Sequence, residues 1–275
     1  MIQLDRLDSG KLHRARGIVR DLGSVLVAYS GGVDSTLLLK IALDELGGRA
    51  VAVLASSPAY PESEQEQARA TAHALGARLV EVETHELDLA AYTRNHPDRC
   101  FHCKEELFET LEPVRRDLDL DHLAYGATAD DAGDHRPGHG SAVRRGVRFP
   151  LLEAGMGKPD IRAAARQLGL PNWNKASFAC LSSRIPHGTE VTVPALRRIE
   201  AAEAAIKALG FDQVRVRDHG EVARIEVEPQ DIERMALARE AVVEALRRAG
   251  YTFVALDLEG YATGSLNRTW KLSSK

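Results

Sequence analysis

The segment Ser30-Gly31-Gly32-Val33-Asp34-Ser35 carries the residue types that most directly specify chemistry in this chain. It lies between an apolar run and a helical pattern. Two adjacent glycines let the backbone approach a phosphate closely, and a helix start offers unpaired N–H groups and the positive end of the dipole. The hydroxyls of Ser30 and Ser35 can donate to phosphate oxygens, and the Asp34 carboxylate can help hold Mg2+. No Gly-Lys-Ser/Thr follows at the distance of a Walker A loop, so the phosphate chemistry is of another kind. The second group is the thiols. Cys100-Phe101-His102-Cys103 and the distant Cys180 are the three cysteines. An odd count with this spacing points to metal or redox chemistry rather than a disulfide scaffold. Three readings stand: zinc completed by His96, His102 or His187; an iron–sulfur cluster whose fourth iron has no protein ligand; or small buried residues.

These residues need elements to position them. Val25–Tyr29 reads as a buried strand, and Asp34–Leu46 as a helix stopped by Gly47-Gly48. Ala50–Ala55 and Arg78–Val82 read as further strands, with a helix over Glu62–Leu75 between them. Cys103–Leu118 is expected to be helical and His122–Gly126 to be a strand end, while Asp130–Val147 reads as a loop rich in Gly, Asp and Arg. Such alternation implies a parallel sheet with helices on both faces and ligands at the carboxyl ends of the strands. Further on, Ile161–Leu168 reads as a helix, Pro171–Gly188 as irregular, and Pro194–Leu209 as a helix. Gln213–Val216 and Ala223–Val227 read as strands around Asp218-His219-Gly220, Asp231–Ala249 as a helix, and Phe253–Leu258 as a last strand. A cut near Ser183–Gly188 gives two domains, 1–185 for the nucleotide and a smaller α/β domain over 186–275.

Composition sets the outer limits. With 44% hydrophobic and 28% charged residues over 275 positions, the chain can bury a core without staples. No run of about 18 apolar residues is present, so no membrane helix is expected. The first residues, Met1 to Gly17, contain acids and no apolar signal core; Leu4, Leu7, Leu12 and Ile18 follow helical spacing, and a cytoplasmic location is expected. A net charge of −4 gives no basic excess for gripping nucleic acid, although Arg144–Arg148 and Arg215–Arg224 form local basic stretches.

The SGGVDS loop in this context resembles that of the PP-loop ATP pyrophosphatases, which hold the pyrophosphate part of ATP and let an acceptor attack the α-phosphate. Gly126-Ala127-Thr128-Ala129-Asp130-Asp131 resembles the later GTxxDD-type element of that superfamily. A narrower resemblance rests on Trp173–Gly188 (WNKASFACLSSRIPHG), on Arg99-Cys100-Phe101-His102-Cys103-Lys104, on Ala129–Gly138 (ADDAGDHRPG) and on Asp257-Leu258-Glu259-Gly260-Tyr261. These blocks are similar to the sulfur-transferring branch that builds the nickel-pincer nucleotide of lactate racemase, the LarE family.

The resemblance implies a pyridinium dicarboxylate mononucleotide as substrate, activated by ATP and converted stepwise to thiocarboxylates. Adenylation is needed because a carboxylate has no leaving group; the mixed anhydride does. Some members use a cysteine in the position of Cys180 as a sacrificial donor, and others use three cysteines around a 4Fe–4S cluster. The pattern here matches the second, with Cys100, Cys103 and Cys180 as ligands. Gly126, Asp130 and Asp131 would lie beside the nucleotide, and Lys104 and Arg184 are the candidate cations for developing phosphate charge. Glu203, Arg215, Arg217 and Asp231 resemble the family's mixed charged cluster, whose arginines would bind the substrate phosphate. A homo-oligomer is implied, with a hexamer as one assembly. The competing classes are a cluster-dependent tRNA thiolation enzyme, a non-catalytic nucleotide- or metal-binding protein, and an ammonia-using synthetase of the NAD type. The acidic balance and the Trp173–Gly188 block weigh against the first, and the cysteines against the last.

Overall fold

A computed structural model describes residues 9–133, 137–176 and 178–262. By its contacts the chain divides into two compact units, Met1–Glu86 with Cys100–Phe178, and Leu87–Arg99 with Ala179–Lys275. Leu4, Leu7, Ser177 and residues 134–136, all part of the patterns above, lie outside the described residues.

The first unit is α/β. After helix α1 (Ser9–Asp21), strand β1 (Val25–Tyr29) leads into α2 (Val33–Leu46), β2 (Ala50–Ser56), α3 (Glu62–Ala74) and β3 (Arg78–Glu83). A short α4 (Ala90–Thr93) belongs to the other unit. Helix α5 (Arg99–Asp117) and β4 (His122–Tyr125) follow, then α6 (Pro137–Arg144), α7 (Pro150–Glu153) and α8 (Lys158–Gln167). The four strands are all parallel, in the order β3-β2-β1-β4. Alternation along β1 explains why the run is apolar throughout. Val25, Val27 and Tyr29 pack with Leu37, Leu38 and Ile161 on one face, and Leu26 and Ala28 pack with Phe108 and Leu111 on the other. The chain moves outward from β1 through β2 to β3, then returns to the opposite side of β1 with β4. The crevice between the ends of β1 and β4 is therefore the topological switch point, where open parallel sheets bind ligands.

The second unit places β5 (Val214–His219), β6 (Val222–Val227) and β7 (Phe253–Leu256) in one sheet, antiparallel between β5 and β6 and parallel between β6 and β7. Helix α9 (Val193–Ala208) is capped by Thr192, whose hydroxyl accepts from the Ala195 N–H at 3.3 Å. It and α11 (Arg239–Arg248) cover one face, burying Ala202, Ile206, Val242 and Leu246 against Val214, Val216 and Ile225.

Three expectations change. The helix expected over 231–249 is two, α10 (Ile232–Leu237) and α11, broken at Ala238. The expected loop over 130–147 contains a 3-10 turn (Ala129–Gly133) and α6. Two glycines in that helix hide its periodicity, yet Ala142 is buried in the second core cluster. Helix α5 starts at Arg99, earlier than expected, so that both Cys100 and Cys103 are helical.

Candidate active site

The Ser30–Ser35 loop, the candidate phosphate loop, is built on β1 and α2. Ser35 Oγ donates to the Gly32 carbonyl at 3.1 Å and accepts from the Ser30 N–H at 3.2 Å, which curls the loop upon itself. The Ser30 and Ser35 hydroxyls stand 3.2 Å apart. Gly32 is the N-cap and has no side chain to cap the first turn, so the leading N–H groups of α2 face outward for an anion. Gly31 adopts φ +70°, and a Cβ there would fall 2.6 Å from Ala68 Cβ. The loop thus lies directly on α3, and only glycine fits. Gly126, next after β4, is tight for a different reason: a Cβ would come within 3.0 Å of the Ser35 backbone nitrogen. The two signature segments meet at the switch point.

Asp130 and Asp131 divide their tasks. One oxygen of Asp131 accepts from both the N–H and the hydroxyl of Thr128, at 2.8 and 3.1 Å, and so folds its own turn. Asp130 accepts from the Lys158 N–H at 2.6 Å, while the Lys158 ammonium pairs with Asp34. Lys158, at the first turn of α8, therefore ties Asp130 through its backbone N–H and Asp34 through its ammonium, bringing both carboxylates to one residue. Two carboxylates with only oxygen donors suit a hard divalent cation such as Mg2+. Nothing in its sequence context marked Lys158; the only available signal is Gly-Lys-Pro at a helix start.

Cys100 is exposed and Cys103 half-buried, one helical turn apart at the start of α5. Lys104 Nζ sits 4.4 Å over the ring of Tyr125, the last residue of β4. Burial works against the Lys104 charge, but Tyr125, Cys103 and Cys100 outweigh it and hold the ammonium above the ordinary lysine range. Two sulfur donors one helical turn apart on a helix start are the soft ligands that iron and zinc take. The donor chemistry of this pair therefore suits a thiophilic metal. Among the described residues, no group of three or more His, Cys, Asp or Glu side chains is arranged to hold a metal ion.

In the second unit, Cys180 is a half-buried free thiol just before a 3-10 turn, Leu181–Arg184. Arg184 is fully buried. Its Nε and Nη2 pair with the two oxygens of Glu203 at 2.8 and 2.9 Å, and its Nη1 donates to the carbonyls of Ala179 and Cys180 and to Ser183 Oγ. Glu203 also accepts from the Val216 N–H at 3.0 Å. This arginine thus fastens the Cys180 backbone to α9 and β5.

Arg215 and Arg217 lie on the face of β5 opposite Val214 and Val216. Arg217 donates to the Ser183 carbonyl at 3.0 Å and to Glu226 at 2.5 Å. Arg224, across from Arg217, pairs with Glu226 and Asp257. Arg215 is 6% exposed and, among the described residues, makes no ion pair. It donates to its neighbour's carbonyl and stacks 5.3 Å from the Tyr261 ring. Burial, then the charge of Arg184, lowers its pKa. A buried guanidinium without a carboxylate is a ready anion site. Asp231 does not join this group; it holds Arg234 at 2.9 Å at the start of α10.

No family model matches the chain. It is 42% identical over 260 residues to an uncharacterized protein of Synechocystis, covering 94% of this chain and 97% of that one. It is 27% identical over 239 residues to an uncharacterized protein of Methanocaldococcus jannaschii, covering 86% and 90%. Pyridinium-3,5-bisthiocarboxylic acid mononucleotide synthase of Lactiplantibacillus plantarum is 36% identical over 252 residues, 91% of each chain. With a phosphate loop at the switch point, a CxxC helix start and a buried arginine face all falling inside that aligned length, the chain belongs to the family of the pyridinium bisthiocarboxylic acid mononucleotide synthases, the LarE type.

Proposed function

We propose that this chain is a cytoplasmic, ATP-dependent sulfur transferase that converts the carboxylates of a pyridinium dicarboxylate mononucleotide to thiocarboxylates. The observation that carries the reading is the 36% identity with the Lactiplantibacillus plantarum synthase over 91% of both chains. A substrate carboxylate oxygen attacks the α-phosphate of ATP, and pyrophosphate leaves. Sulfide then adds to the carbonyl carbon of the mixed anhydride, and AMP departs with the electron pair of the broken C–O bond.

Each group has a task in that sequence. Ser30, Gly31, Gly32 and Ser35 cradle the polyphosphate, and Gly126 keeps the neighbouring loop close against α2. Asp34 and Asp130 would hold Mg2+, and Asp131 keeps the 128–131 turn folded. Lys158 and Lys104 supply positive charge where it develops on the phosphates. Arg215 and Arg217 take the substrate phosphate in the second unit, with Glu226 orienting Arg217 and Glu203 fixing the neighbouring Arg184. Arg184 positions the Cys180 backbone rather than meeting phosphate itself. Asp231 keeps Arg234 in place beside this cluster's unit. Cys100, Cys103 and Cys180 would hold a 4Fe–4S cluster, which when bound supplies a replaceable sulfide. The enzyme works as a homo-oligomer through its C-terminal unit and needs no nucleic acid.

The test is an anaerobic preparation assayed for iron and acid-labile sulfide, then given ATP, sulfide and the pyridinium dicarboxylate mononucleotide. Pyrophosphate release should require that acceptor, and mass spectrometry should find oxygen replaced by sulfur in the product. Replacing any one cysteine should abolish sulfur transfer and cluster binding while leaving adenylation. Dehydroalanine at Cys180 accumulating with product in iron-free protein would replace the cluster with a sacrificial cysteine. Absence of acceptor-dependent pyrophosphate would remove the transferase reading altogether.

A further inference from the structure

Asn172 is in neither signature segment, and the chemistry above does not use it. It follows Pro171 in a tight turn after α8, with the Lys175 N–H donating to its carbonyl at 3.0 Å. The turn is anchored on both sides. Trp173 packs on the first core cluster, Arg162 donates to the Lys175 carbonyl, and the Lys175 ammonium pairs with Glu64 at 2.7 Å. The side chain at 172 is thus held from behind before it touches anything.

What it touches is the phosphate loop. Asn172 Nδ2 donates to the Gly31 carbonyl at 3.0 Å and to Thr36 Oγ1 at 2.9 Å. Thr36, fully buried, spends its own hydroxyl proton on the Gly32 carbonyl at 2.8 Å. One amide therefore reaches two consecutive carbonyls: the first directly, and the second through Thr36, where the Thr36 N–H at 3.0 Å and Ser35 Oγ at 3.1 Å hold it as well. The amide orientation follows from this geometry. Turning it over would set Oδ1 against the Gly31 carbonyl and against a hydroxyl whose proton is already committed. The orientation has a cost: Oδ1 is shielded from solvent and meets no donor. A buried carbonyl left so is rare in folded chains and calls for an explanation in what its other end does.

Peptide planes are rigid, so fixing a carbonyl on one side fixes the N–H that shares its plane on the other. The Gly31 carbonyl shares its plane with the Gly32 N–H, and the Gly32 carbonyl with the Val33 N–H. Without Asn172 the glycines at 31 and 32 would let the first of these planes turn freely, whereas the second is also tied to the first turn of α2 by the Thr36 N–H and by Ser35 Oγ. We propose that Asn172, acting with Thr36, is the positioning residue of the phosphate loop: it aims the Gly32 N–H, and reinforces the aim that the first turn of α2 gives the Val33 N–H, at the pyrophosphate portion of a nucleotide. This rests on the phosphate-loop reading of Ser30–Ser35 and assigns the loop's aim to a residue far along the chain.

Binding to the full chain by titration calorimetry tests it, with ATP, inorganic pyrophosphate and AMP as the three probes. Asn172→Asp keeps the shape and replaces the donor by an acceptor; Thr36→Val removes the relay, and Thr36→Ser restores it. Asn172→Asp and Thr36→Val should each weaken ATP and pyrophosphate by about tenfold, in keeping with loss of aim at one or two hydrogen bonds, and leave AMP within about twofold. Thr36→Ser should bind like the parent. A purely structural role would weaken all three probes together or lower the melting temperature without changing their ratio, and either result overturns the assignment. Unchanged pyrophosphate affinity in both Asn172→Asp and Thr36→Val overturns it as well. A parent chain that binds neither ATP nor pyrophosphate would instead remove the loop reading on which the proposal stands.

Discussion

Replacing Gly31 by alanine separates the two demands that the loop makes on this position. The first is conformational: φ is +70°, where an L-residue with a Cβ costs about 1–2 kcal/mol. The second is steric. The new Cβ would lie 2.6 Å from Ala68 Cβ and 3.0 Å from Ala68 Cα, against an ordinary carbon–carbon contact of about 3.5–4.0 Å. Relieving an overlap of that size in a packed site costs about 1–3 kcal/mol. Gly31→Ala should therefore destabilise the first unit by about 2–5 kcal/mol in total. Urea unfolding can be followed through Trp173, which packs on that unit's core, in a Trp270→Phe background. Ala68→Gly alone should cost about 1 kcal/mol as a glycine inside α3. Combined with Gly31→Ala it removes the 2.6 Å Cβ overlap, the larger steric part, and keeps the 3.0 Å approach to the Cα of residue 68 and the conformational part. The double variant should then be more stable than the sum of the singles by about 1–3 kcal/mol. Pyrophosphate release should fall by about 10²-fold in the single variant, because a loop pushed off α3 by about 1 Å no longer meets its ligand. The reasoning is refuted if Gly31→Ala unfolds within about 0.5 kcal/mol of the parent, or if the two changes add without coupling.

Two further outcomes are expected. Lys158→Met should weaken ATP binding by about tenfold in calorimetry while changing stability by less than about 1 kcal/mol, since its pair with Asp34 is partly solvated; unchanged ATP affinity would take Lys158 out of the nucleotide site. Arg184→Lys should destabilise the second unit by about 3 kcal/mol in urea, because an ammonium cannot serve Glu203 and three further acceptors at once; a loss below about 1 kcal/mol would show that the pair is not what fastens the Cys180 backbone.

Local pattern made the parallel sheet and the loop legible. Strand β1 is apolar at every position because both its faces are buried, and the glycines at 31 and 32 announce a turn before a helix. Arg215 and Arg217 could be placed on one face by counting alternate residues. What pattern does not carry is which long side chains meet. Lys158 and Asn172 are ordinary residues in their own neighbourhoods; they matter through contacts 124 and 141 positions away. Arg184 looked like a cation beside a cysteine motif, and only the fold shows its guanidinium enclosed between Glu203 and the carbonyls of Ala179 and Cys180. The start of α5 was read too late because Arg99-Cys100-Phe101-His102 lacks a helical apolar stripe. Arg99 is instead buried by donating to Ser182 and Asn95.

The stretch Leu87–Arg99 sits in the chain between two halves of the first unit yet belongs by its contacts to the second. Its partners are made late. The Tyr92 hydroxyl meets Ser182 Oγ at 2.6 Å across a separation of 90 residues, and Asn95 donates to the carbonyls of Ile185, Pro186 and Thr189. At a ribosomal pace of about 5–20 residues per second, Tyr92 and Asn95 wait roughly 5–20 s for these partners to be synthesised. During that interval the side chains of Tyr92, Asn95 and Arg99, the buried members of an otherwise largely exposed stretch, wait without these partners. A chain halted near residue 178 would leave the Tyr92 hydroxyl and the Asn95 amide without Ser182 and the 185–189 carbonyls that hold them.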